Sequence, residues 1–293
     1  MDLLLQLAKN GAMIGLLYGL FAYGLSLIIA TSGILHFAHG LTLVGSAYSF
    51  WFLFQDKGVN VFVAVLLSLV VGGVIGVLIE LIIYRPLRRM NATEMVFLVA
   101  SLAVLTLGQN AIVFIFGTDP KSIRPSDFMT WNATIGPVVI RTFDILIVAA
   151  SALAFLALHL LQTRTAVGLS FRAVGDNPQR AETLGIKLQH TYVWVFLAGS
   201  IIAGLPGVLL AAQNPVIPSM GFDLLVKAII ALVIGGIGSM PGALLGGILI
   251  GLVESLAVYK LPTEWAEFTL YLLLFIFVIA RPHGLTKGRL RTA

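Results

Sequence analysis

Long apolar runs place the strongest constraint on how this chain can fold. Residues 11–30, 61–83 and 95–116 are uncharged apart from Glu80 and long enough for helices that cross a bilayer, which need about 20 residues. Inside a bilayer such runs must satisfy their backbone polar groups internally. Of the 293 residues, 59% are hydrophobic and 11% charged, against about a quarter charged in soluble domains. We predict an all-α polytopic membrane protein, one transmembrane domain over 1–293 with about eight to nine hydrophobic helical segments, some re-entrant.

The charged residues indicate orientation and exclude several functions. Many Lys and Arg residues fall in segments 85–89, 164–187 and 281–291, which the positive-inside rule assigns to the cytoplasm. The net charge of +5 therefore does not indicate nucleic-acid binding. Residues 162–190 become a cytoplasmic loop and residues 117–143 an outer loop. The sequence has neither cysteine nor a Gly-x-x-x-x-Gly-Lys-Ser/Thr loop, so we expect this chain to bind no cofactor.

Two glycine-interrupted stretches occupy matching places near the two ends of the chain. They read TSGILHFAHG at 31–40 and GGIGSMPGALLGG at 235–247, and each is followed by two apolar runs and an Arg-Pro pair. This similarity between the two ends of the chain predicts an internal structural repeat. In transporters, paired interruptions of this kind indicate the substrate path. The alternative is that the small residues only permit close helix packing. The predicted path residues are His36, Phe37, His39, Gly40, Lys227, Gly235, Gly236, Gly238 and Ser239.

Other polar residues in the apolar segments have local interpretations. His36 and His39 lack a third ligand nearby, so no metal site is predicted, and without a nucleophile the chain is not expected to be an enzyme. We predict a structural ion pair between Glu80 and Arg85. Asp223 and Lys227, four positions apart, favour local pairing on one helix. Glu254, near the end of its apolar run, is expected to be structural.

The cytoplasmic stretch FRAVGDNPQRAETLGI at 171–186 predicts a short isolated helix over 178–184. Asp176 or Asn177 can cap its start, Pro178 suits its first turn, and Gly185 suits a left-handed stop. Ala181 is expected on one side together with Leu184, away from Arg180 and Glu182. So short a helix needs support from tertiary contacts. It is either a connector lying on its own protein or a helix that docks on a cytoplasmic partner.

These pieces together resemble the permease subunits of ATP-driven (ABC) importers for branched-chain amino acids, specifically the LivH-like member of the permease pair. The matching stretches are NGAMIGLLYGLFAYGLSLIIATSGILHFAHG at 10–40, IELIIYRPLRR at 79–89, 171–186, 235–247 and RPHGLTKG at 281–288. The family usually has Asn-Phe-Ala-His-Gly where this chain begins with His36. It also usually has Glu-Arg where this chain has Glu80 and Leu81.

The resemblance implies a complex in a bacterial or archaeal inner membrane. Its other members would be a second permease subunit of the LivM-like type, two ATP-binding subunits that hydrolyse ATP, and an extracytoplasmic solute-binding protein. The implied cargo is a branched-chain or related amino acid; urea, amides or small carboxylates are the alternative. An ion-coupled secondary transporter would need a mid-membrane acidic residue. The coupling helix to the ATPase would comprise Gly175, Asp176, Asn177, Pro178, Arg180, Ala181, Leu184 and Gly185.

Overall fold

The helices predicted from the apolar runs dominate the structure. The computed structural model describes residues 2–123, 132–281 and 284–286. The helices are α1 (Asp2–Ser32), α2 (His39–Trp51), α3 (Val61–Ile79), α4 (Arg85–Arg89), α5 (Glu94–Phe116), α6 (Thr142–Arg164), α7 (Ala166–Asp176), α8 (Pro178–Thr183), α9 (Leu188–Ala211), α10 (Met220–Gly235), α11 (Met240–Ala257) and α12 (Thr263–Ala280). Two π-helical segments, Phe52–Asp56 and Glu80–Tyr84, follow α2 and α3 without a break.

The length of the helices supports a polytopic membrane protein. Within the described ranges, five helical stretches are long and apolar enough to cross a bilayer. They are Asp2–Ser32, Val61–Arg89, Glu94–Phe116, Thr142–Arg164 and Leu188–Ala211. Pro241–Ala257 and Trp265–Ala280 are apolar but shorter. The predicted total of eight to nine segments and the internal repeat stay predictions.

A short β-hairpin departs from the predicted all-α fold. Strands β1 (Asn132–Ile135) and β2 (Val138–Arg141) pair antiparallel, with Asn132 opposite Arg141. Gly136, at φ 60°, supplies the left-handed conformation that the tight turn requires. The hairpin lies in the predicted outer loop 117–143, of which residues 124–131 fall outside the described residues. β-branched residues on both sides of Gly136 and Pro137 favour a hairpin, because this pair interrupts a helix and suits a turn.

The chain divides into two compact units, each assembled from three stretches. Unit 1 contains Met1–Ser26, Pro125–Phe155 and Val226–Arg289, and unit 2 contains Leu27–Arg124, Leu156–Leu225 and Leu290–Ala293. Both units therefore combine residues that are far apart in the sequence. The single domain predicted over 1–293 stays a prediction.

In unit 1, glycines bring the first part of α1 against α11. A Cβ added to Gly15 would lie 2.7 Å from the Ile248 Cα, and one added to Gly251 would lie 2.3 Å from the Gly11 carbonyl oxygen. Helices in membranes pack through such small residues, since lipid gives little hydrophobic drive for helix association. These contacts are between backbones, so the glycines themselves set the separation of the two helices.

In unit 2, α2, α3 and α9 form a close-packed core. A Cβ on Gly72 of α3 would lie 2.3 Å from the Ser46 hydroxyl, and one on Gly76 would lie 1.9 Å from the Ser200 hydroxyl. Both serines are fully buried. Small residues on all three helices thus permit the short separations that this core requires.

Candidate functional site

The first glycine-interrupted stretch is a true break between two helices. Gly33 ends α1 in the left-handed conformation (φ 72°), and α2 begins at His39. The Ser32 hydroxyl donates to the Ile28 carbonyl (2.7 Å) and accepts from the Ile34 N–H (3.2 Å). The Phe37 N–H donates to the Ser101 hydroxyl of α5 at 3.3 Å. Side chains therefore satisfy part of the backbone that the break exposes.

Both histidines of this break are fully buried in unit 2. The His36 Nδ1 and the Tyr84 hydroxyl are 2.8 Å apart, within hydrogen-bond distance. The His36 ring packs edge-on against Phe196, with 5.1 Å between centroids, and against His39, at 5.5 Å. His36 Nε2 has no hydrogen-bond partner among the described residues. The break thus holds an imidazole among aromatic rings, and its role in the translocation path stays a prediction.

Gly40, the remaining path residue of this stretch, lies where two backbones meet. A Cβ at Gly40 would lie 2.6 Å from the carbonyl oxygen of Gly221, at the start of α10. A Cβ added to Gly221 would likewise lie 2.4 Å from the Gly40 carbonyl oxygen. Glycine is therefore required on both sides of this contact within unit 2.

The second glycine-interrupted stretch also breaks a helix, in unit 1. Gly236 and Gly238 adopt left-handed conformations (φ 102° and 82°) between α10 and α11. The Ser239 hydroxyl caps α11 by accepting from the Gly242 N–H at 3.1 Å. The Gly238 N–H donates to the Ser26 hydroxyl at 2.9 Å, and the Thr286 hydroxyl donates to the Gly235 carbonyl at 2.7 Å. Protein groups therefore satisfy part of this irregular backbone.

Lys227 pairs with a different partner from the one predicted. Its ammonium group lies 2.5 Å from the Glu254 carboxylate of α11 and 3.3 Å from the Tyr18 hydroxyl of α1. The Tyr18 hydroxyl donates to the other Glu254 oxygen at 2.8 Å. The predicted local pairing with Asp223 is wrong, because helix packing brings a carboxylate from α11 to Lys227 while Asp223 is exposed.

Glu80 likewise pairs with a different arginine. Its carboxylate, 1% exposed, accepts a hydrogen bond from Arg88 and not from the predicted Arg85. Residues 80–84 are π-helical, so their hydrogen bonds connect residues five positions apart and the turn is wider than in an α-helix. The wider turn brings Arg88 round to the face of Glu80. The predicted pair of Glu80 with Arg85 is corrected accordingly.

The predicted cytoplasmic helix forms, with the predicted start and stop. Helix α8 covers Pro178–Thr183, and the Asn177 side chain caps it by accepting from the Arg180 N–H at 2.9 Å. Gly185 is left-handed (φ 86°). The N–H groups of Gly185 and Ile186 donate to the carbonyls of Glu182 and Ala181, which is the Schellman arrangement. Of the two predicted caps, Asn177 is thus the one used, while Asp176 ends α7.

Helix α8 rests on its own chain by one face and leaves the other exposed. Ala181 is buried in a cluster with Val174 of α7 and Tyr192 of α9. Leu184, expected on the same side as Ala181, is instead 79% exposed, because the helix has ended before it. Gly175 brings α7 close to the end of α1, where an added Cβ would lie 2.7 Å from the Ala30 carbonyl oxygen. Helix α8 thus has one face packed against its own chain and one exposed face.

Comparison with known proteins identifies the family. The family model described as "Branched-chain amino acid transport system / permease component" matches residues 7–279. The chain belongs to this permease family. Two similar members are the high-affinity branched-chain amino acid transport system permease proteins BraD of Pseudomonas aeruginosa and LivH of Escherichia coli (strain K12). BraD is 30% identical over 96% of this chain and 95% of its own length, and LivH is 30% identical over 96% and 94%.

A solved structure resembles the fold of this family member. PsaBC from Streptococcus pneumoniae in complex with Fab matches with a TM-score of 0.51, over 92% of this chain and 90% of that chain. The two sequences are 12% identical, so this likeness concerns the fold alone. The family match and the apolar helices agree with a multi-pass membrane protein.

Sequence reasoning on this permease missed several of the contacts that build its sites. Tyr18 and Glu254 complete the Lys227 cluster. Arg88 pairs with Glu80 and lies over Tyr192, and Tyr84 contacts His36. One signal for them was present, since an ionisable residue in a membrane segment needs a partner of opposite charge. The choice of partner depends on helix packing, which the sequence does not give.

Proposed function

We propose that this chain is the membrane-spanning permease subunit of an ABC importer for branched-chain or related amino acids. The match to the permease family over residues 7–279 carries the proposal. The five apolar helical stretches supply the required membrane domain. Relatives of 30% identity that span nearly the whole chain are named as permeases for these amino acids, which favours the same class of cargo.

The two helix breaks are the proposed contributions to the translocation path. Each exposes backbone groups at membrane depth that helices alone would hide, and each is held by serine or threonine hydroxyls. His36 and His39 lie at one break, and Gly236 and Gly238 at the other. Breaks of this kind can rearrange by rotation about a few glycine torsions, which suits alternating access.

Helix α8 is the proposed contact with the ATP-binding subunits. Its exposed face, formed by Arg180, Glu182 and the following Leu184, is available to a cytoplasmic subunit. Ala181, one of its two buried residues, connects it to α7 and α9. A push on α8 would therefore reach two longer helices. The proposed partners are two ATP-binding subunits, a second permease subunit and an extracytoplasmic solute-binding protein, in the inner membrane.

Reconstitution tests this function directly. The chain would be co-expressed with a second permease, two ATPase subunits and a binding protein from the same organism, and the complex purified into proteoliposomes. Uptake of radiolabelled leucine should require ATP, the ATPase subunits and the binding protein. Uptake by this chain alone, driven by an ion gradient, would show a secondary transporter instead. The same uptake assay would be run with urea, acetamide and small carboxylates. ATP-dependent uptake of one of these in place of leucine would change the assigned cargo but not the class of transporter.

A further inference from the structure

A series of side-chain contacts, joined by one π-helical turn, connects α8 to His36 within unit 2. We propose that Tyr192, Arg88, Glu80 and Tyr84 are positioning residues that transmit displacement of α8 to the helix break at His36. The proposal rests on the proposed function, in which α8 receives the motion of an ATPase subunit. It adds the physical route by which that motion reaches the candidate path.

The first step joins α8 to the cytoplasmic end of the π-helical region. Ala181 packs with Tyr192 in one buried cluster. The Arg88 guanidinium lies over the Tyr192 ring, 4.1 Å from its centroid, which is the geometry of a cation–π contact. Because Tyr192 touches both neighbours, a shift of α8 changes the surface on which Arg88 rests.

The second step is the ion pair between Arg88 and Glu80. Glu80 is almost completely buried, and a buried carboxylate is costly without its cation, so the two side chains have to move together. The Glu80 Oε1 accepts no hydrogen bond from any described residue, and the Arg88 Nε donates none. The pair is therefore incompletely satisfied, and a second arrangement with different hydrogen bonds is open to it.

The third step is the π-helical segment itself. Glu80 begins it and Tyr84 ends it, and α4 continues directly to Arg88. Single π-helical turns inside longer helices occur frequently at functional sites, because their wider turn can shift along the helix. A displacement of Glu80 by Arg88 therefore acts on the π-helical turn that ends at Tyr84.

The last step reaches the break. Tyr84 is fully buried, and its hydroxyl lies 2.8 Å from the His36 Nδ1. The Tyr84 ring also lies 5.4 Å from Phe196 of α9, edge-on to His36 at 5.5 Å. Closely packed groups such as these switch between discrete arrangements and do not deform continuously. A change at Tyr84 therefore changes the position of the His36 imidazole.

Tyr84→Phe tests the route with the smallest change, because it removes only the hydroxyl that contacts His36. Tyr23→Phe is a matched control: Tyr23 is a buried tyrosine of unit 1 whose hydroxyl has no partner among the described residues. Both variants would be assembled into the complete importer in proteoliposomes. ATP hydrolysis and leucine uptake would be measured together, with co-purification of the ATPase subunits as the check on assembly.

We expect Tyr84→Phe to raise the ATP hydrolysed per leucine transported by about 2- to 30-fold, the range found for residues that carry coupling. Tyr23→Phe should leave this ratio unchanged. Glu80→Gln should raise the ratio as well, and the double variant Glu80→Gln/Tyr84→Phe should be no worse than the poorer single variant, since both act on one route.

Several results would overturn the route. If Tyr84→Phe keeps the wild-type ratio, or lowers uptake and hydrolysis equally, Tyr84 is only a packing residue. Additive effects in the double variant would place Glu80 and Tyr84 on separate routes. If the wild-type complex shows no ATP-driven uptake of any cargo tested, the proposed function itself fails. Wild-type uptake with an unchanged ratio in Tyr84→Phe rejects the route alone.

Discussion

Gly247 lies at the closest approach between α11 and α1, so adding a single methyl group tests the packing of unit 1. In Gly247→Ala the new Cβ would lie 2.2 Å from the Gly19 nitrogen, 2.4 Å from the Gly19 Cα and 2.7 Å from the Gly15 carbonyl oxygen. All three are backbone atoms, so no side-chain rotation relieves the overlap. Normal contact needs a separation near 3.5 Å, which requires the two helices to move apart by about 1 Å.

The cost follows from this displacement. Overpacking of a close-packed site costs about 1–3 kcal/mol, whereas replacing glycine by alanine inside a helix gains about 0.5–1 kcal/mol. With the middle of each range, the net loss is about 1 kcal/mol, or a fall in Tm of about 2–4 °C for a chain of this size. The measurement is thermal unfolding of the purified protein in a mild detergent, followed by intrinsic tryptophan fluorescence.

Gly108→Ala is the matched control on α5. There the three atoms nearest to the added Cβ all belong to the Leu41 side chain, so a change of that side chain's conformation can relieve the overlap. Its Tm should stay the same or rise slightly. If Gly247→Ala and Gly108→Ala have equal Tm values, the glycine contact between α1 and α11 does not determine the stability of unit 1, and the packing argument is refuted.

Three further substitutions test the candidate sites. Lys227→Met leaves the part-buried Glu254 without its cation and should cost about 1–3 kcal/mol, less than for a fully buried pair. Lys227→Met combined with Glu254→Leu should recover most of the Tm, and no recovery would refute the pairing. Gly185→Val places a β-branched residue at φ 86°, a strain of about 1–2 kcal/mol, and should uncouple ATP hydrolysis from uptake at normal expression; unchanged uptake would reject the coupling assignment. His39→Leu should lower leucine uptake, and an unaltered rate and substrate range would return His39 to a structural role.

Local features of the fold could be predicted from the sequence. The short helix α8 follows from neighbouring residues alone: Asn177 caps it, Pro178 starts it and Gly185 stops it. Helix breaks at 33–38 and 236–239 follow in the same way from glycine and polar residues within apolar runs. These features depend on backbone preferences over a few residues, which a single sequence contains.

Features that depend on contacts between distant residues could not be predicted. The sequence offered Arg85 and Asp223 as partners because they lie one helical turn from Glu80 and Lys227. The structure pairs Glu80 with Arg88 through a π-helical turn, and Lys227 with Glu254 from another helix. The choice among several partners of correct charge depends on helix register and packing, for which a single sequence has no local signal.

The proposed function requires that the exposed side of α8 contacts an ATP-binding subunit. A photo-reactive amino acid at Leu184, which is 79% exposed, tests it directly in the assembled importer, with the same probe at Phe114, which is 92% exposed on α5, as the control. Irradiation should cross-link the Leu184 probe to the ATP-binding subunit and leave the Phe114 probe without that product. An importer that transports leucine with ATP yet gives no cross-link from Leu184 would contradict the claim.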